Sequence, residues 1–221
     1  MKKTFICAVP VIGAFVALTA QAQQSLPSEA ATPEQRLAEN IGVDRLPAAT
    51  GDTRNTSVLL QSGTGNVSRI DQQSLFVREN QAYLEQVGTA NVLGLSQTGG
   101  GNRAYILQNG AGNTAGFAQK GQDNATTISQ QGANNKLTSV TGKGDFTLEG
   151  DRNTLKVNQI GINNTVKGEI RESDRTYEIR QYGSNNTLTQ IETTSQTPRG
   201  YSVEMRGQGI NLTIEQSKVV R

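Results

Sequence analysis

Gln97-Thr98-Gly99-Gly100-Gly101-Asn102-Arg103-Ala104-Tyr105-Ile106-Leu107-Gln108-Asn109-Gly110-Ala111-Gly112-Asn113-Thr114-Ala115-Gly116-Phe117-Ala118-Gln119 contains one pattern twice. Gln-x-Gly-x-x-Asn is followed by five residues and then by the next Gln, 11 residues after the first. Between Asn and Gln the residue character alternates. Asn102, Ala104, Ile106 and Gln108 share one parity, as do Asn113, Ala115, Phe117 and Gln119. A period of two means a strand with one face buried. The glycine-containing four residues between Gln and Asn are turn chemistry, because glycine accepts a positive φ. Each 11-residue unit therefore predicts a strand plus a tight turn, and two units predict one rung of about 22 residues.

The pattern extends in both directions. It occurs as Gln61/Gly63/Asn66, Gln86/Gly88/Asn91, Gln97/Gly99/Asn102, Gln108/Gly110/Asn113, Gln119/Gly121/Asn124, Gln130/Gly132/Asn135, Gln159/Gly161/Asn164 and Gln181/Gly183/Asn186. From Gln86 to Gln130 the spacing of 11 is unbroken. A single rung has nothing to bury its apolar face against, and stacking supplies the partner. The expected fold is all-β: a solenoid of strand-turn-strand rungs in parallel, in-register stacks at roughly 4.8 Å spacing. Asn and Gln at fixed inward positions would then form side-chain amide ladders, each amide being both donor and acceptor along the stack. Those sixteen Gln and Asn residues are the predicted assembly positions, and Gly63, Gly88, Gly99, Gly110, Gly121, Gly132, Gly161 and Gly183 the predicted turn glycines.

Departures divide the array, expected over residues 55–216, into a regular part (80–135) and a degenerate part (136–216). Leu75 and Leu148 are read at Gln positions, Arg175 at an Asn position and Glu192 at a Gln position. A three-residue insertion precedes Asn80, and Thr141 to Asp145 reads as an extra turn. After a longer loop at Thr193 to Pro198, Tyr201, Val203 and Met205 precede Gly207, and Ile210, Leu212, Ile214 and Gln216 follow it.

The N-terminus reads as a secretory signal peptide over residues 1–22. Lys2 and Lys3 precede an apolar stretch, and Ala20-Gln21-Ala22 offers a small-x-small cleavage site. Residues 23–54 lack the alternation and read as a flexible leader; residues 217–221 read as a basic tail. The single Cys, Cys7, lies in the signal segment, so the mature chain cannot be a disulfide scaffold. The chain has no His and no Trp, only 34% hydrophobic residues and 24 Gly, too little apolar matter for a thick globular core. A net charge of +2 argues for no nucleic-acid partner.

Gln97 to Gln108 and Gln108 to Gln119 resemble the curlin repeat, whose pattern is approximately Ser-x5-Gln-x-Gly-x-x-Asn-x-Ala-x3-Gln. The resemblance implies a secreted subunit of curli-type amyloid fibres, exported through an outer-membrane pore to the bacterial surface. It further implies pairing with itself and other curlin-type subunits, and a part in adhesion and biofilm matrix. The family has a polymerising major subunit and a nucleating minor one; irregular repeats and the basic late residues Arg199, Arg206, Lys218 and Arg221 favour the minor. The alternative is a monomeric, capped β-solenoid adhesin or glycan-binding module.

No catalytic, cofactor-binding, metal or small-molecule substrate site is expected, so no enzyme. The carboxylates Asp145, Glu149 and Asp151, and Glu169, Glu172 and Asp174, cluster at two turns and read as solvated loops.

Overall fold

The computed structural model describes residues 55–75, 78–192 and 200–216. The expected signal segment, leader, loop at 193–198 and basic tail lie outside the described residues. The strands, in chain order, are β1 (Thr56–Thr64), β2 (Val67–Ser74), β3 (Gln81–Thr89), β4 (Val92–Gly100) and β5 (Arg103–Ala111). They continue as β6 (Thr114–Gln122), β7 (Ala125–Ala133), β8 (Lys136–Thr138), β9 (Phe146–Glu149) and β10 (Thr154–Ile162). The last five are β11 (Thr165–Ile170), β12 (Thr176–Ser184), β13 (Thr187–Glu192), β14 (Gly200–Gln208) and β15 (Asn211–Gln216).

Every pairing is parallel. One sheet runs β1-β3-β5-β7-β10-β12-β14; the other runs β2-β4-β6, then β8 with β9, then β11-β13-β15. Apart from β8 and β9, which together take one place in the second sheet, successive strands alternate between the two sheets, so each rung contributes to both: a two-sheet β-solenoid. The register is that of the repeat. Gln86 pairs with Gln108, Gln108 with Gln130 and Gln130 with Gln159, so like stacks on like.

Both sheets turn the same parity inward. One seam runs Leu84, Ile106, Ile128, Val157 and Ile179; facing it are Leu93, Ala115, Leu137, Val166 and Leu188, and all are buried. The core is one side chain thick from each sheet, which is how a chain so poor in apolar residues folds. Size is traded between rungs. Phe146 is fully buried, and a Cβ on Gly168, one rung along, would stand 2.4 Å from its ring.

The step from rung to rung is 22 residues between β3 and β5, β5 and β7, and β10 and β12. It lengthens to 25 at Thr56↔Gln81, to 29 at Ala125↔Thr154 and to 24 at Thr176↔Gly200. The longest step contains residues 139–145, which leave the sheet between β8 and β9 and return in phase. Thr138 pairs with Lys167 and Thr147 with Glu169, so Phe146 takes the core position next after Leu137. The loop closes on itself, with Gly142 N donating to Ser139 O at 2.9 Å and Thr138 Oγ1 to Gly144 O at 2.8 Å.

Two expectations are corrected. The four residues between Gln and Asn are not all turn: nine-residue strands continue through Gln and Gly, and only two residues, such as Gly112 and Asn113, separate β5 from β6. The corner forms because Gly110, at φ 126°, bends while still pairing with Gly88 and Gly132. A Cβ there would lie 1.9 Å from Gly132 O, so glycine is required by close approach as much as by φ. The reversal is completed by one left-handed residue: Gly65, Ala90, Gly101, Gly112, Asp123, Asn134, Arg152, Asn163, Asp174, Asn185 or Gly209. Second, Leu75 does not occupy a Gln position. Gln72 pairs with Gln97, Ser74 stands where later rungs have Gly, and the inserted residues follow.

Candidate assembly site: the amide columns and the open edges

Each rung has two corners, and each corner brings one Gln and one Asn inward. Four amide columns result. Down the first, Gln61 Nε2 donates to Gln86 Oε1 at 2.6 Å, Gln86 to Gln108 at 2.7 Å, and Gln108 to Gln130 at 2.8 Å. Gln130 continues to Gln159 and Gln159 to Gln181, both at 2.8 Å. At the other corner Gln72 donates to Gln97 at 2.7 Å and Gln97 to Gln119 at 2.9 Å. The Gln residues from Gln86 to Gln181 in these columns are fully buried. Their second N–H crosses to the opposite sheet, as in Gln108 Nε2 to Val92 O at 3.1 Å and Gln130 Nε2 to Thr114 O at 3.1 Å. Each Gln thus ties rung to rung and sheet to sheet.

The Asn columns run with the opposite polarity. Asn91 Nδ2 donates back to Asn66 Oδ1, Asn113 to Asn91, Asn135 to Asn113 and Asn164 to Asn135, each at 3.1 Å, and Asn186 to Asn164 at 3.0 Å. The backbone N–H of the later Asn donates to the same oxygen, as from Asn113 to Asn91 Oδ1 at 3.1 Å. A backbone N–H can only donate, so the orientation of each Asn amide is fixed. Asn Nδ2 also reaches forward to the glycine carbonyl of the next rung, such as Asn113 to Gly132 O at 3.0 Å. The fourth column contains Asn55, Asn80, Asn102, Asn124 and Asn153, linked by Asn80 Nδ2 to Asn55 Oδ1 at 3.2 Å and Asn102 Nδ2 to Asn80 Oδ1 at 3.0 Å. Asn124 Nδ2 donates to Asn102 Oδ1 at 3.0 Å, and Asn153 N to Asn124 Oδ1 at 2.9 Å.

All sixteen predicted Gln and Asn positions therefore lie in these columns, and the eight predicted glycines all have positive φ at the corners. Four members escaped the repeat motif: Gln72, Asn55, Asn80 and Asn153. The signal for the Asn residues was the other half of the repeat, Asn with Gln six residues on, as in Asn55/Gln61, Asn80/Gln86 and Asn153/Gln159.

The columns end differently at the two ends of the stack. Asn55, Gln61, Asn66 and Gln72 begin all four in the first rung. In the last rung Met205 pairs with Gln181, and Ile210 N donates to Asn186 Oδ1 at 3.0 Å. At the other corner the Gln column stops at Gln119. Its Nε2 turns to Thr126 Oγ1 at 3.2 Å because Leu148, then Ile170, follow in register. The Asn column stops at Arg175, whose backbone N donates to Asn153 Oδ1 at 3.0 Å.

Arg175 and Glu192 turn that corner into a buried charged cluster. Arg175 pairs with Glu172 at 3.7 Å, with each side chain 13% exposed. Tyr177, fully buried, donates its hydroxyl to Glu192. Burial pushes the Glu192 carboxyl above the usual glutamate range despite that hydrogen bond, and burial likewise raises the Tyr177 and Tyr201 hydroxyls. Beside it, the Gln190 amide is 1% exposed, and neither its Nε2 nor its Oε1 has a hydrogen-bond partner among the described residues.

The two predicted carboxylate clusters lie one rung apart, with Asp174 N donating to Asp151 O at 2.8 Å, and their carboxylates take separate partners. Glu169 pairs with Arg171, Asp151 Oδ1 accepts from Gln122 N at 2.8 Å, and Asp174 accepts from Arg152 at 2.6 and 2.7 Å. The hydrogen bond from Arg152 holds Asp174 below the usual carboxylate range. Among the described residues no group of three or more His, Cys, Asp and Glu is placed to hold a metal ion.

No curated protein and no solved structure matches the chain. Residues 88–121 and 101–132 match the family model described as Curlin associated repeat. These residues run from the corner at Gly88 to the corner at Gly132, through the unbroken 22-residue rungs. The chain is a β-solenoid whose residues 88–132 match that repeat model.

Proposed function

We propose that this chain is a secreted subunit of curli-type amyloid fibres on the bacterial surface, nucleating or building fibres for adhesion and biofilm matrix. The observation that carries the reading is the pair of open edges. Among the described residues β1 and β2 at one end, and β14 and β15 at the other, pair on one side only. An edge strand presents a row of free backbone donors and acceptors, and here it lies over columns that already repeat at strand spacing. Adding a rung from another chain repeats what each internal rung does. The partners are then copies of this chain and other curlin-type subunits, reached after export through an outer-membrane pore. No cofactor or small-molecule substrate enters this reading, and the sixteen Gln and Asn residues serve as assembly positions. Interruption of the columns in the later rungs favours a nucleating over a bulk-building part.

Purified chain lacking residues 1–22, incubated at micromolar concentration, is expected to form thioflavin-positive fibres with cross-β reflections near about 4.7 and 10 Å. Persistent monomer over days would contradict the proposal and favour a capped, monomeric adhesin.

A further inference from the structure

We infer that the two edges are not equivalent. The N-terminal edge, β1 with β2, is the stronger docking surface, and its best partner is a rung bearing Gln-x-Gly-x-x-Asn at both corners; the C-terminal edge is the poorer partner for it, so self-stacking of this chain needs a higher concentration than docking of a regular rung. This rests on the reading of the chain as a stacking subunit and adds a direction to it.

The polarity of the columns says what each edge needs. Within the stack, Gln Oε1 accepts from the preceding Gln, and Asn N and Nδ2 donate to the preceding Asn Oδ1. Gln61 and Gln72 have no preceding rung among the described residues, so their Oε1 atoms face outward as acceptors. Asn66 and Asn55 present their backbone N–H there, while their Nδ2 groups donate to Ser62 O and Gly88 O and to Gln72 O. An incoming rung satisfies this edge if it offers a Gln amide N–H and an Asn Oδ1 at each corner. It must also carry glycine between them at the first corner, because a Cβ in that position meets the next rung's carbonyl at about 2 Å throughout the stack, as Gly63 would meet Gly88 O at 1.9 Å.

The chain's own last rung does not meet that requirement. Met205 stands at the Gln position and carries no N–H, and Ile210 stands at the Asn position and carries no amide oxygen. A second copy stacked head to tail would leave Gln61 Oε1 and Asn66 N–H facing groups that cannot pair with them. Burying such groups unpaired weakens that contact relative to one with a regular rung. The complementary rung is a regular one, such as residues 102–123 of this chain, which contains Asn102, Gln108, Gly110, Asn113, Gln119 and Gly121.

The test uses a synthetic peptide of residues 102–123 as the assembling species and the mature chain as seed. Wild-type seed and a Met205→Ala/Ile210→Ala seed are expected to shorten the peptide's lag about tenfold. A Gln61→Leu/Gln72→Leu seed, with unchanged circular dichroism, is expected to leave the lag near its unseeded value. If the Gln61→Leu/Gln72→Leu seed works as well as wild type, the polarity is wrong while stacking stands. If wild type fails to seed, the stacking reading falls and the polarity with it. A gain-of-function variant guards against misfolding of the first: Met205→Gln/Ile210→Asn supplies the missing groups and should lower the concentration for self-association about tenfold in sedimentation. No change would overturn the assignment.

Discussion

Gln108 donates from Nε2 to Oε1 of Gln130 at 2.8 Å, and both side chains are fully buried. The pair sits in a run of five consecutive Gln-to-Gln bonds, so its loss is felt on both sides. Gln108→Leu leaves Gln86 Nε2 without its acceptor and Gln130 Oε1 without its donor. At about 1–3 kcal/mol per stranded group, a loss of roughly 2–6 kcal/mol in unfolding free energy is expected by denaturant titration. An unchanged midpoint would mean that the column contributes packing alone.

Gly110→Ala tests the corner. Its Cβ would meet Gly132 O at 1.9 Å with the backbone at φ 126°, so the rung has to part from its neighbour. Hydrogen exchange should show lost protection in β5 and β7. Gly142→Ala is the control: φ is 74°, but the new Cβ meets nothing within 4 Å. Only the left-handed conformation is then penalised, at about 1 kcal/mol.

Deleting residues 139–145 joins Thr138 to Phe146, which already take successive register positions opposite Lys167 and Gly168. The deletion restores the 22-residue step, and a thermal midpoint at or above that of the parent chain is expected. A fall of several degrees would show that the loop stabilises the fourth rung.

Gln190→Leu should stabilise. The amide is buried without a partner among the described residues, in a column that elsewhere holds Leu95, Phe117 and Phe146. Removing an unpaired polar group from an apolar column is worth about 1–3 kcal/mol, read as a higher denaturant midpoint.

Glu192 predicts the pH response of the penultimate rung. Burial raises its folded-state pKa above the ordinary 4.5, so folding favours its protonated form. That contribution is fully present below pH 4.5 and is lost as pH rises through the raised value. Hydrogen-exchange protection of β12 and β13 should therefore weaken from acid toward neutral pH. Glu192→Gln, which puts an amide opposite Gln216, should flatten that dependence. Asp174, held low by Arg152, acts in the opposite sense, so the Glu192→Gln difference is the quantity to read.

Much of the rung was legible because one constraint repeats. Period-two alternation fixes which residues point inward, and Gln-x-Gly-x-x-Asn marks the corner where glycine alone allows the rungs to approach. Gln72 was missed because Ser74 stands where the glycine would be, which let Leu75 pass for the Gln position. The corner was expected to be wider than it is, since a positive-φ glycine reads as turn even where it keeps its sheet bonds. Column polarity lies beyond the alphabet altogether. It is set by the backbone N–H of one Asn meeting Oδ1 of the Asn before it, as in Asn113 and Asn91. The charged corner at Glu172, Arg175, Tyr177 and Glu192 brings together residues that look unrelated along the chain.

If the solenoid itself is the unit that a fibre extends, its rungs stack within one chain, and solid-state NMR on fibres reads that stacking. Labelled chain is diluted in excess unlabelled chain, and side-chain contacts between Gln86 and Gln108 and between Gln97 and Gln119 are followed. Rungs stacked within one chain predict contacts that survive dilution at full intensity per labelled chain. Contacts that vanish on dilution, replaced in undiluted fibres by Gln108 stacked on Gln108 of the next chain, would mean that the solenoid is not the unit of the fibre.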